Sequence, residues 1–292
     1  MRNELSILIP TYNCSCYTLV KQLQKQCEDQ EGLHYEIVVA DDGSTDTASI
    51  EANHGIGGLD NCRFERRARN TGRAAIRNFL AQRARYEWLL FADSDMVVGR
   101  TDFIESYREA PGEVVYGGYE VRGDAKKLKG NLRFAYEKRA EAAHKAALRR
   151  LHPYADFHTS NFLIARDTML AHPLDERFRH YGYEDVLFGK HLREAGVAIS
   201  HIDNPLLFAS FESNAAFVAK TEEGLRTLHE FQADLQGYSR LLDETGKMRV
   251  LWPAIRLFHK LTGGRQRRQL TGSAPSLWVF RCYKLGYFLS LE

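Results

Sequence analysis

Three short apolar runs in the first hundred residues each stop at polar or acidic residues, and this arrangement constrains the fold most strongly. Residues 5–9, 35–40 and 88–92 have the composition of buried strands. Segments with helical spacing, at about residues 17–28 and 72–85, separate them. Strands that alternate with helices are typical of a mostly parallel sheet that is covered by helices. In the second half of the chain, residues 114–121 predict a further strand and residues 126–151 predict a long basic helix. The sequence therefore predicts an α/β fold.

The polar residues that follow these runs indicate where a ligand would bind. Parallel strands bring their carboxyl ends to one edge of the sheet, and ligands bind there. Asp93 and Asp95 lie at that edge, and in an extended chain their side chains point the same way. Two close carboxylates repel unless a cation or hydrogen-bond donors compensate. Taken by itself, the pair is equally compatible with a divalent metal site and with a solvated acidic turn.

The positive charge of the chain is concentrated near its C-terminus. The whole sequence has 40 basic and 38 acidic residues, and residues 247–292 contribute nine of the basic and one of the acidic ones. The preceding residues 1–246 are left with 31 basic and 37 acidic side chains. A mildly acidic body with a basic tail suggests an anionic partner, either a membrane surface or a nucleic acid. The long apolar runs beside the basic residues make nucleic acid the weaker choice, and we predict no nucleic-acid partner.

Two segments of this tail mix apolar and basic residues. Residues 247–261 predict a helix with Leu251, Ile255, Phe258 and Leu261 on one face. Residues 277–289 combine aromatic side chains with cations. This composition predicts a helix or loop that lies in a membrane interface. A C-terminal helix that packs on the body with a solvated basic face is equally compatible with it.

The cysteines and the N-terminus predict a cytoplasmic protein. The number of cysteines is five, and their spacing fits neither a zinc site nor a disulfide framework. Reduced thiols are typical of the cytosol. The first residues lead directly into a strand, without a secretory signal, and no uncharged apolar run reaches the roughly 18 residues of a membrane span. Peripheral contact with the inner face of the cytoplasmic membrane stays open because of the basic tail.

The acidic strand ends favour one class of chemistry. The sequence has neither a Gly-rich phosphate loop of the Walker or dinucleotide type nor a Gly-x-Ser-x-Gly nucleophile elbow. A site that is rich in carboxylates and lacks a protein nucleophile suits metal-assisted transfer of a group from a diphosphate leaving group.

Five segments of the chain resemble the family 2 glycosyltransferases of the GT-A fold. They are residues 6–13, 38–46, 70–78, 92–95 and 183–185, in the family's order and at roughly its spacing. The resemblance implies a Rossmann-like, mostly parallel central sheet flanked by helices, and here a helical, basic C-terminal extension follows it. It implies a GT-A domain at 1–240, with a nucleotide-binding half at 1–110 and an acceptor-binding half at 111–240, and the extension at 241–292.

The resemblance also implies which residues bind the donor, expected to be a nucleotide sugar and most simply a UDP-sugar. The implied nucleotide-binding residues are Pro10, Thr11, Tyr12, Asp42, Arg77 and Asp93. Tyr12 would lie near the base, Asp42 would accept from the base ring, and Asp93 would contact the ribose. Arg73 and Arg77, four residues apart on one helix face, could each neutralise the diphosphate, or could be solvated. For Asp46 we favour a structural role as a helix cap.

Asp185 and Glu184 resemble the family's acidic pair. The resemblance makes Asp185 the general base that deprotonates the acceptor hydroxyl, in one displacement that inverts the anomeric configuration. Glu184 would hold an acceptor hydroxyl. The alternative is structural, because a helix N-terminus favours acidic side chains. Tyr181, Tyr183 and Phe188 suggest a pocket for a sugar ring, and burial in such a pocket would raise the pKa of the acid.

Asp95 would hold a divalent cation, Mn²⁺ or Mg²⁺, that bridges the diphosphate. Family members often supply a His as a further ligand shortly after the position of Asn204, whereas residues 204–211 contain none. Phe208 or Phe211 stands about where that His is expected, and His201 is better explained as an ordinary strand residue. We therefore predict weak or absent metal dependence.

Two other functions remain open at the level of sequence. A nucleotidyltransferase that makes nucleotide sugars would usually show a Gly-rich, Arg-containing loop after the first strand, where this chain has residues 10–13. A non-catalytic sugar-binding or membrane-binding module would not need Asp95 and Asp185. The leading prediction is an inverting glycosyltransferase whose acceptor is a glycan or a lipid-linked glycan.

Overall fold

We analysed a computed structural model of the protein, which describes residues 1–291. Within that range the chain forms ten strands. They are β1 (Glu4–Thr11), β2 (His34–Asp41), β3 (Cys62–Arg66), β4 (Trp88–Ala92), β5 (Met96–Val98), β6 (Val114–Tyr116), β7 (Tyr119–Val121), β8 (Asn161–Ala165), β9 (Ile199–His201) and β10 (Leu206–Phe208).

The same residues form thirteen α-helices and three short 3₁₀ turns. The helices are α1 (Tyr17–Glu28), α2 (Thr47–His54), α3 (Arg73–Arg83), α4 (Phe103–Glu109), α5 (Leu132–Ala140), α6 (Ala146–Arg149), α7 (Arg166–Ala171), α8 (Glu184–Glu194), α9 (Asn214–Glu230), α10 (Gln232–Leu235), α11 (Arg240–Lys247), α12 (Trp252–Thr271) and α13 (Leu277–Leu289). The 3₁₀ turns are Gly55–Gly58, Glu141–His144 and Arg249–Leu251.

A seven-stranded sheet in the order β3-β2-β1-β4-β8-β6-β9 forms the centre of the molecule. Strand β8 runs antiparallel to both of its neighbours, and the other pairs are parallel. The prediction of a mostly parallel central sheet is therefore confirmed. A smaller sheet in the order β5-β10-β7 lies next to its carboxyl edge.

The central strands are buried on both faces. In β1, Ile7 and Ile9 pack in a cluster with Leu19 and Leu23 of α1. Leu8, which points to the opposite face, packs in the cluster that contains Leu80 of α3. Such burial on both sides explains why these strands appear in the sequence as continuous apolar runs rather than as alternating patterns.

Two predicted elements are divided in the structure. The strand predicted at 114–121 is two strands that belong to different sheets, because the chain turns at Gly118, whose φ of +83° lies in the left-handed region that favours glycine. The prediction of one long helix at 126–151 is also wrong. The first helix of this segment, α5, begins only after Asn131, whose side chain accepts from the Phe134 amide. The backbone of Lys145 is extended, so α5 and α6 are separate helices.

The C-terminal extension is helical, as predicted, and is described up to residue 291. Its helix does not stop near residue 261 but continues through Gly263 and Gly264 to the end of α12, and α13 folds back beside it. Phe280 and Tyr283 of α13 are buried against Phe217 of α9, so the extension packs on the body. Within residues 1–291 no helix is both long enough and apolar enough to cross a membrane.

Candidate active site

The predicted acidic strand end is held by two arginines of α3. Asp93 follows β4, and its carboxylate accepts from Arg77 and from Arg73, the latter at 3.2 Å. The Arg77 side chain is only 2% exposed, whereas that of Arg73 is 39% exposed. Arg77 therefore lies beneath Asp93, and Arg73 is the cation that reaches the open cleft.

Arg73 also links the two predicted halves of the enzyme. Its Nε donates to Oε1 of Glu184 at 2.7 Å, while its Nη2 donates to Asp93. Glu184, the first residue of α8, is buried by this contact. One guanidinium thus joins the donor-side carboxylate to the acidic pair that the sequence assigns to the acceptor side.

Asp42 is fully occupied by protein donors. Its two oxygens accept from the amides of Thr71 and Gly72, from the Thr71 hydroxyl and from Arg67. A carboxylate has about four lone-pair sites, so none is left for a base ring. This geometry disagrees with the predicted base contact. Asp42 instead fixes the loop that starts α3.

The predicted first nucleotide loop has one open side chain. The Thr11 hydroxyl donates to the carbonyl of Cys14 and is buried, and Pro10 lies within β1. The ring of Tyr12 is exposed at the end of the strand and can stack on a planar group. Asp46 accepts from the Ser49 amide and caps α2, as we favoured.

Asp185 is paired with a histidine that the sequence analysis did not identify. Nδ1 of His158 lies 2.8 Å from Oδ2 of Asp185, and Oδ1 accepts from the Val186 amide. His158 reaches this position because the amide of Asp93 donates to the carbonyl of Ser160, which holds the start of β8 beside the end of β4. The rings of Tyr116 and Tyr119 stand edge-on to the imidazole.

This pair sets the protonation of the candidate base. Burial alone would raise the pKa of Asp185, but the hydrogen bond and charge of His158, aided by Arg73, hold it below its ordinary value. Burial would lower the pKa of His158, but Asp185 raises it above its ordinary value. The His158 side chain is 42% exposed, so the hydrogen bond to Asp185 outweighs the effect of burial on its pKa. The expected rise in the pKa of Asp185 is therefore wrong.

Only one of the three predicted aromatic residues faces this site. Phe188 is buried in the core with Phe157 and Phe162, and Tyr183 packs in the cluster that includes α13. Tyr181 lies beside two cations, with its ring centre 5.6 Å from the Arg73 guanidinium and 4.7 Å from Nζ of Lys220. The predicted sugar pocket is thus reduced to Tyr181.

Asp95 lies at the open end of the cleft. Desolvation in the cleft and repulsion from Asp93 raise the pKa of Asp95, while Arg73 and Lys220 oppose the shift. Asp95 is exposed to solvent and lies close enough to Asp93 for the two carboxylates to repel each other. Among residues 1–291 no salt bridge involves Asp95.

A metal shared with the substrate fits this arrangement better than one held by protein alone. In the described part of the chain no group of three or more His, Cys, Asp or Glu side chains could hold a metal. Both oxygens of Asp93 are taken by arginines, which leaves the Asp95 carboxylate. Mg²⁺ is often bound by one or two carboxylates together with substrate phosphates, and Asp95 meets that requirement. His201 is buried and bonded to the carbonyl of Pro153, as expected for a strand histidine.

Two residues of the site could not be found from local motifs. His158 precedes a strand and Lys220 lies on α9, and neither belongs to a recognisable pattern. Lys220 also forms an ion pair with Glu212 at 3.8 Å. The one signal available in the sequence was the basic character of Lys220, and that signal is weak.

The fold and the acidic strand ends together define a GT-A type α/β protein. A model of the family described as "Glycosyl transferase family 2" matches residues 6–169, more than half of the chain, and the protein belongs to this family. The predicted family is therefore confirmed. A family of transferases also supports the prediction that the chain is an enzyme.

The chain is similar to one curated glycosyltransferase and to solved structures of two other proteins. An uncharacterized glycosyltransferase of Haemophilus influenzae is 33% identical over 91 residues, which are 31% of this chain and 36% of the relative. A mannosyltransferase from Pyrobaculum calidifontis, solved with GDP-Man and Mn²⁺, has a TM-score of 0.57 at 13% identity and covers 99% of this chain and 85% of its own. S. aureus TarS has a TM-score of 0.49 at 19% identity, with 81% of this chain but 44% of TarS covered. The matches therefore span less than half of the curated relative and of TarS.

Proposed function

We propose that this protein is an inverting glycosyltransferase that moves a sugar from a nucleotide-sugar donor to a hydroxyl of a glycan or lipid-linked glycan. One observation carries the proposal. Arg73 joins Asp93 to Glu184, and the residue after Glu184 is Asp185, whose carboxylate is oriented by His158. A donor-side carboxylate and an oriented candidate base therefore share one cleft.

Asp185 acts as the general base in this proposal. As the acceptor oxygen attacks the anomeric carbon, its proton passes to the Asp185 carboxylate. The bond from the anomeric carbon to the diphosphate oxygen breaks, and the diphosphate leaves with the bonding electrons. A single displacement of this kind inverts the anomeric centre. The lowered pKa of Asp185 keeps the carboxylate ionised at neutral pH, ready to accept the proton.

Fixed cations stabilise the leaving diphosphate. Arg73 faces the cleft, and Lys220 lies near it, since both cations stand within 5.6 Å of the Tyr181 ring centre. Cations fixed in place cost no reorganisation when charge develops on the leaving group. We therefore revise two predicted roles: Arg73 rather than Arg77 meets the diphosphate, and Glu184 positions Arg73 rather than an acceptor hydroxyl. Asp95 would hold a divalent cation such as Mn²⁺, which would supply further positive charge to the diphosphate when bound.

The proposal divides the chain as the sequence suggested, into a nucleotide-binding half at 1–110, an acceptor half at 111–240 and an extension at 241–292. Asp93 and Asp95 come from the first half, and His158 and Asp185 come from the second. Tyr12 stacks on the donor base. A UDP-sugar is the first donor to test, and GDP-Man, which the Pyrobaculum enzyme holds, is the second.

The location follows from the donor and from the thiols. All five cysteines are free in the structure, and reduced thiols are typical of the cytosol. We propose that the protein works in the cytoplasm, peripherally at the inner face of the membrane when its acceptor is lipid-linked.

A panel of nucleotide sugars tests the proposal with the purified protein. The correct donor raises the unfolding temperature and is slowly hydrolysed, whereas other nucleotide sugars do neither. Release of the nucleoside diphosphate with a new glycosidic bond supports transfer, and release of pyrophosphate would indicate a nucleotidyltransferase. Asp185→Asn should keep donor stabilisation but lower turnover by about 10²–10⁴-fold. Undiminished turnover in this variant would overturn the assignment of the base.

A further inference from the structure

Helix α12 has two unlike faces. Its inner face, which includes Trp252 and Ile255, packs against α13 in one core cluster, and Leu270 is buried in another. His259 lies so close to Gly286 of α13 that a Cβ at that glycine would come within 2.7 Å of the imidazole. This side of the helix is therefore closely packed on the body. Ile255, which the sequence places on one face with Leu251, Phe258 and Leu261, belongs to this packed side, whereas the other three are exposed.

The other side of α12, with the 3₁₀ turn before it, carries large apolar side chains in solvent. We call this surface the outer face, and its apolar residues are Val250, Leu251, Ala254, Leu257, Phe258 and Leu261. Val250 is 94% exposed and Leu261 is 71% exposed. Spacings of three and four residues place the set in one stripe along the helix. A contiguous exposed apolar stripe marks an interaction surface.

Cations surround this stripe. Arg265 and Arg268 continue it by one and two helical turns after Leu261, and Lys260 lies beside it. None of these three makes a salt bridge within residues 1–291, in contrast with Arg267, which binds Glu222. An apolar stripe bordered by unpaired Lys and Arg is the arrangement of helices that lie in the plane of a membrane interface.

We propose that the outer face of α12 binds the surface of an anionic lipid bilayer. The lipid headgroups would supply negative charge to Lys260, Arg265 and Arg268, and the acyl region would receive Leu257 and Leu261. A second copy of this chain is less suitable, because an identical face has no acidic residue to neutralise Lys260, Arg265 and Arg268. The charge pattern therefore selects the bilayer as the occupant.

Bilayer binding would hold the candidate site at a fixed position relative to the membrane. The extension is attached to α9 through Glu222, which accepts from Arg267 at 2.8 Å and from the Tyr283 hydroxyl at 2.6 Å. The next residue, Glu223, accepts from the Tyr181 amide at the candidate site. The same helix thus links the outer face to the cleft, which suits a lipid-linked acceptor. Only this last step rests on the proposed function, since binding itself needs no turnover.

Flotation with lipid vesicles tests the proposal on the full chain. We expect binding to vesicles of phosphatidylcholine with phosphatidylglycerol and little binding to phosphatidylcholine alone, with a loss of binding as salt is raised. Leu257→Glu with Leu261→Glu should lower partitioning at least about tenfold, because these side chains would no longer enter the acyl region. Arg265→Gln with Arg268→Gln should lower it by about fivefold for each charge, on anionic vesicles only.

Two controls separate this surface from general effects. Leu151→Glu alters a residue that is 68% exposed outside α12 and should leave binding unchanged. Asp185→Asn should bind vesicles as the wild type does, so a failed transfer assay and a failed membrane proposal are distinguishable. If the variant with Leu257→Glu and Leu261→Glu bound anionic vesicles as well as the wild type does, the proposal would be overturned. The proposal would also be overturned if the wild type did not bind vesicles but formed a dimer, detected by light scattering, that these two substitutions dissociate.

Discussion

His158 and Asp185 form a close pair, with Nδ1 of the imidazole 2.8 Å from Oδ2 of the carboxylate. The two residues come from different elements, since His158 precedes β8 and Asp185 lies in the first turn of α8. The amide of Val186 holds the other oxygen. Asp185 is thus restrained at both oxygens, and His158 is a positioning residue for the proposed base.

Loss of the imidazole should change the pH dependence of turnover. His158 lowers the pKa of Asp185, so His158→Ala should raise that pKa and move the acid limb of the kcat profile to higher pH. We expect kcat to fall by about ten- to a hundredfold because the carboxylate loses its orientation. His158→Asn, whose side-chain amide can stand near the position of Nδ1 and donate to the carboxylate, should recover part of kcat but keep a shifted limb because it has no charge. An exposed control, His152→Ala, should alter neither quantity, and an unshifted limb in His158→Ala would contradict the pairing.

The same pair should contribute to stability in a defined pH range. The pKa of His158 is raised above its ordinary value of 6.5, so its contribution is fully present below pH 6.5 and is lost as pH rises through the raised value. The pKa of Asp185 is lowered below 3.8, so its contribution is present above pH 3.8 and is lost as pH falls through the lowered value. The difference in unfolding temperature between wild type and His158→Ala should be largest between these limits. A difference that grows above pH 7 would contradict this assignment.

Elements with continuous apolar runs could be predicted from the sequence, and those that depend on distant contacts could not. The strand at 88–92 and the helix at 17–28 have the predicted bounds, because local burial and spacing determine them. The strand predicted at 114–121 is divided at Gly118, because its two parts join different sheets. Local composition does not determine which sheet each part joins.

The candidate site also combines residues that motifs predict with partners that only tertiary contacts bring to them. The acidic positions Asp93 and Asp185 were predicted from motifs, and the structure brings them into one cleft through Arg73. The partners that determine their chemistry lie far away in sequence, since Arg73 and Glu184 are 111 residues apart and His158 and Asp185 are 27 apart. The saturation of Asp42 by its neighbours also depends on tertiary contacts. The structure therefore changes the roles assigned to the site residues more than it changes which residues form the site.

Replacement of Arg73 should separate the two sides of the cleft. Arg73→Lys keeps the charge but cannot donate to both Asp93 and Glu184 in the same fork geometry. We expect kcat/KM to fall by about ten- to a thousandfold and donor-induced stabilisation to weaken, since the cation that faces the diphosphate is misplaced. Steady-state kinetics and thermal shift measure both effects. Arg83→Lys, on the exposed end of the same helix, is the matched control, and equal kinetics in the two variants would exclude the proposed role of Arg73.

The dependence on metal should be weak. Asp95 is a donor-side carboxylate that makes no salt bridge with an arginine among residues 1–291, while Arg73 and Lys220 already supply positive charge. We expect excess chelator to reduce turnover by less than about tenfold, because fixed cations provide much of the charge stabilisation. Activity with and without added Mn²⁺ or Mg²⁺ measures this. Strict dependence on either ion would contradict the prediction and would give Asp95 a larger part in binding the diphosphate.

The backbone that presents Arg73 should tolerate no side chain at Gly72. This residue has a φ of +97°, and a Cβ would come within 2.9 Å of the Arg179 carbonyl oxygen in the loop before α8. Gly72→Ala should therefore lower the free energy of unfolding by about 1–3 kcal/mol or more. It should also lower kcat/KM, because the start of α3 and the loop before α8 would move apart. Gly57→Ala, where a Cβ meets no atom within 4 Å, is the control for chemical denaturation. Equal stability of the two variants would show that the contact between Gly72 and Arg179 does not hold the cleft together.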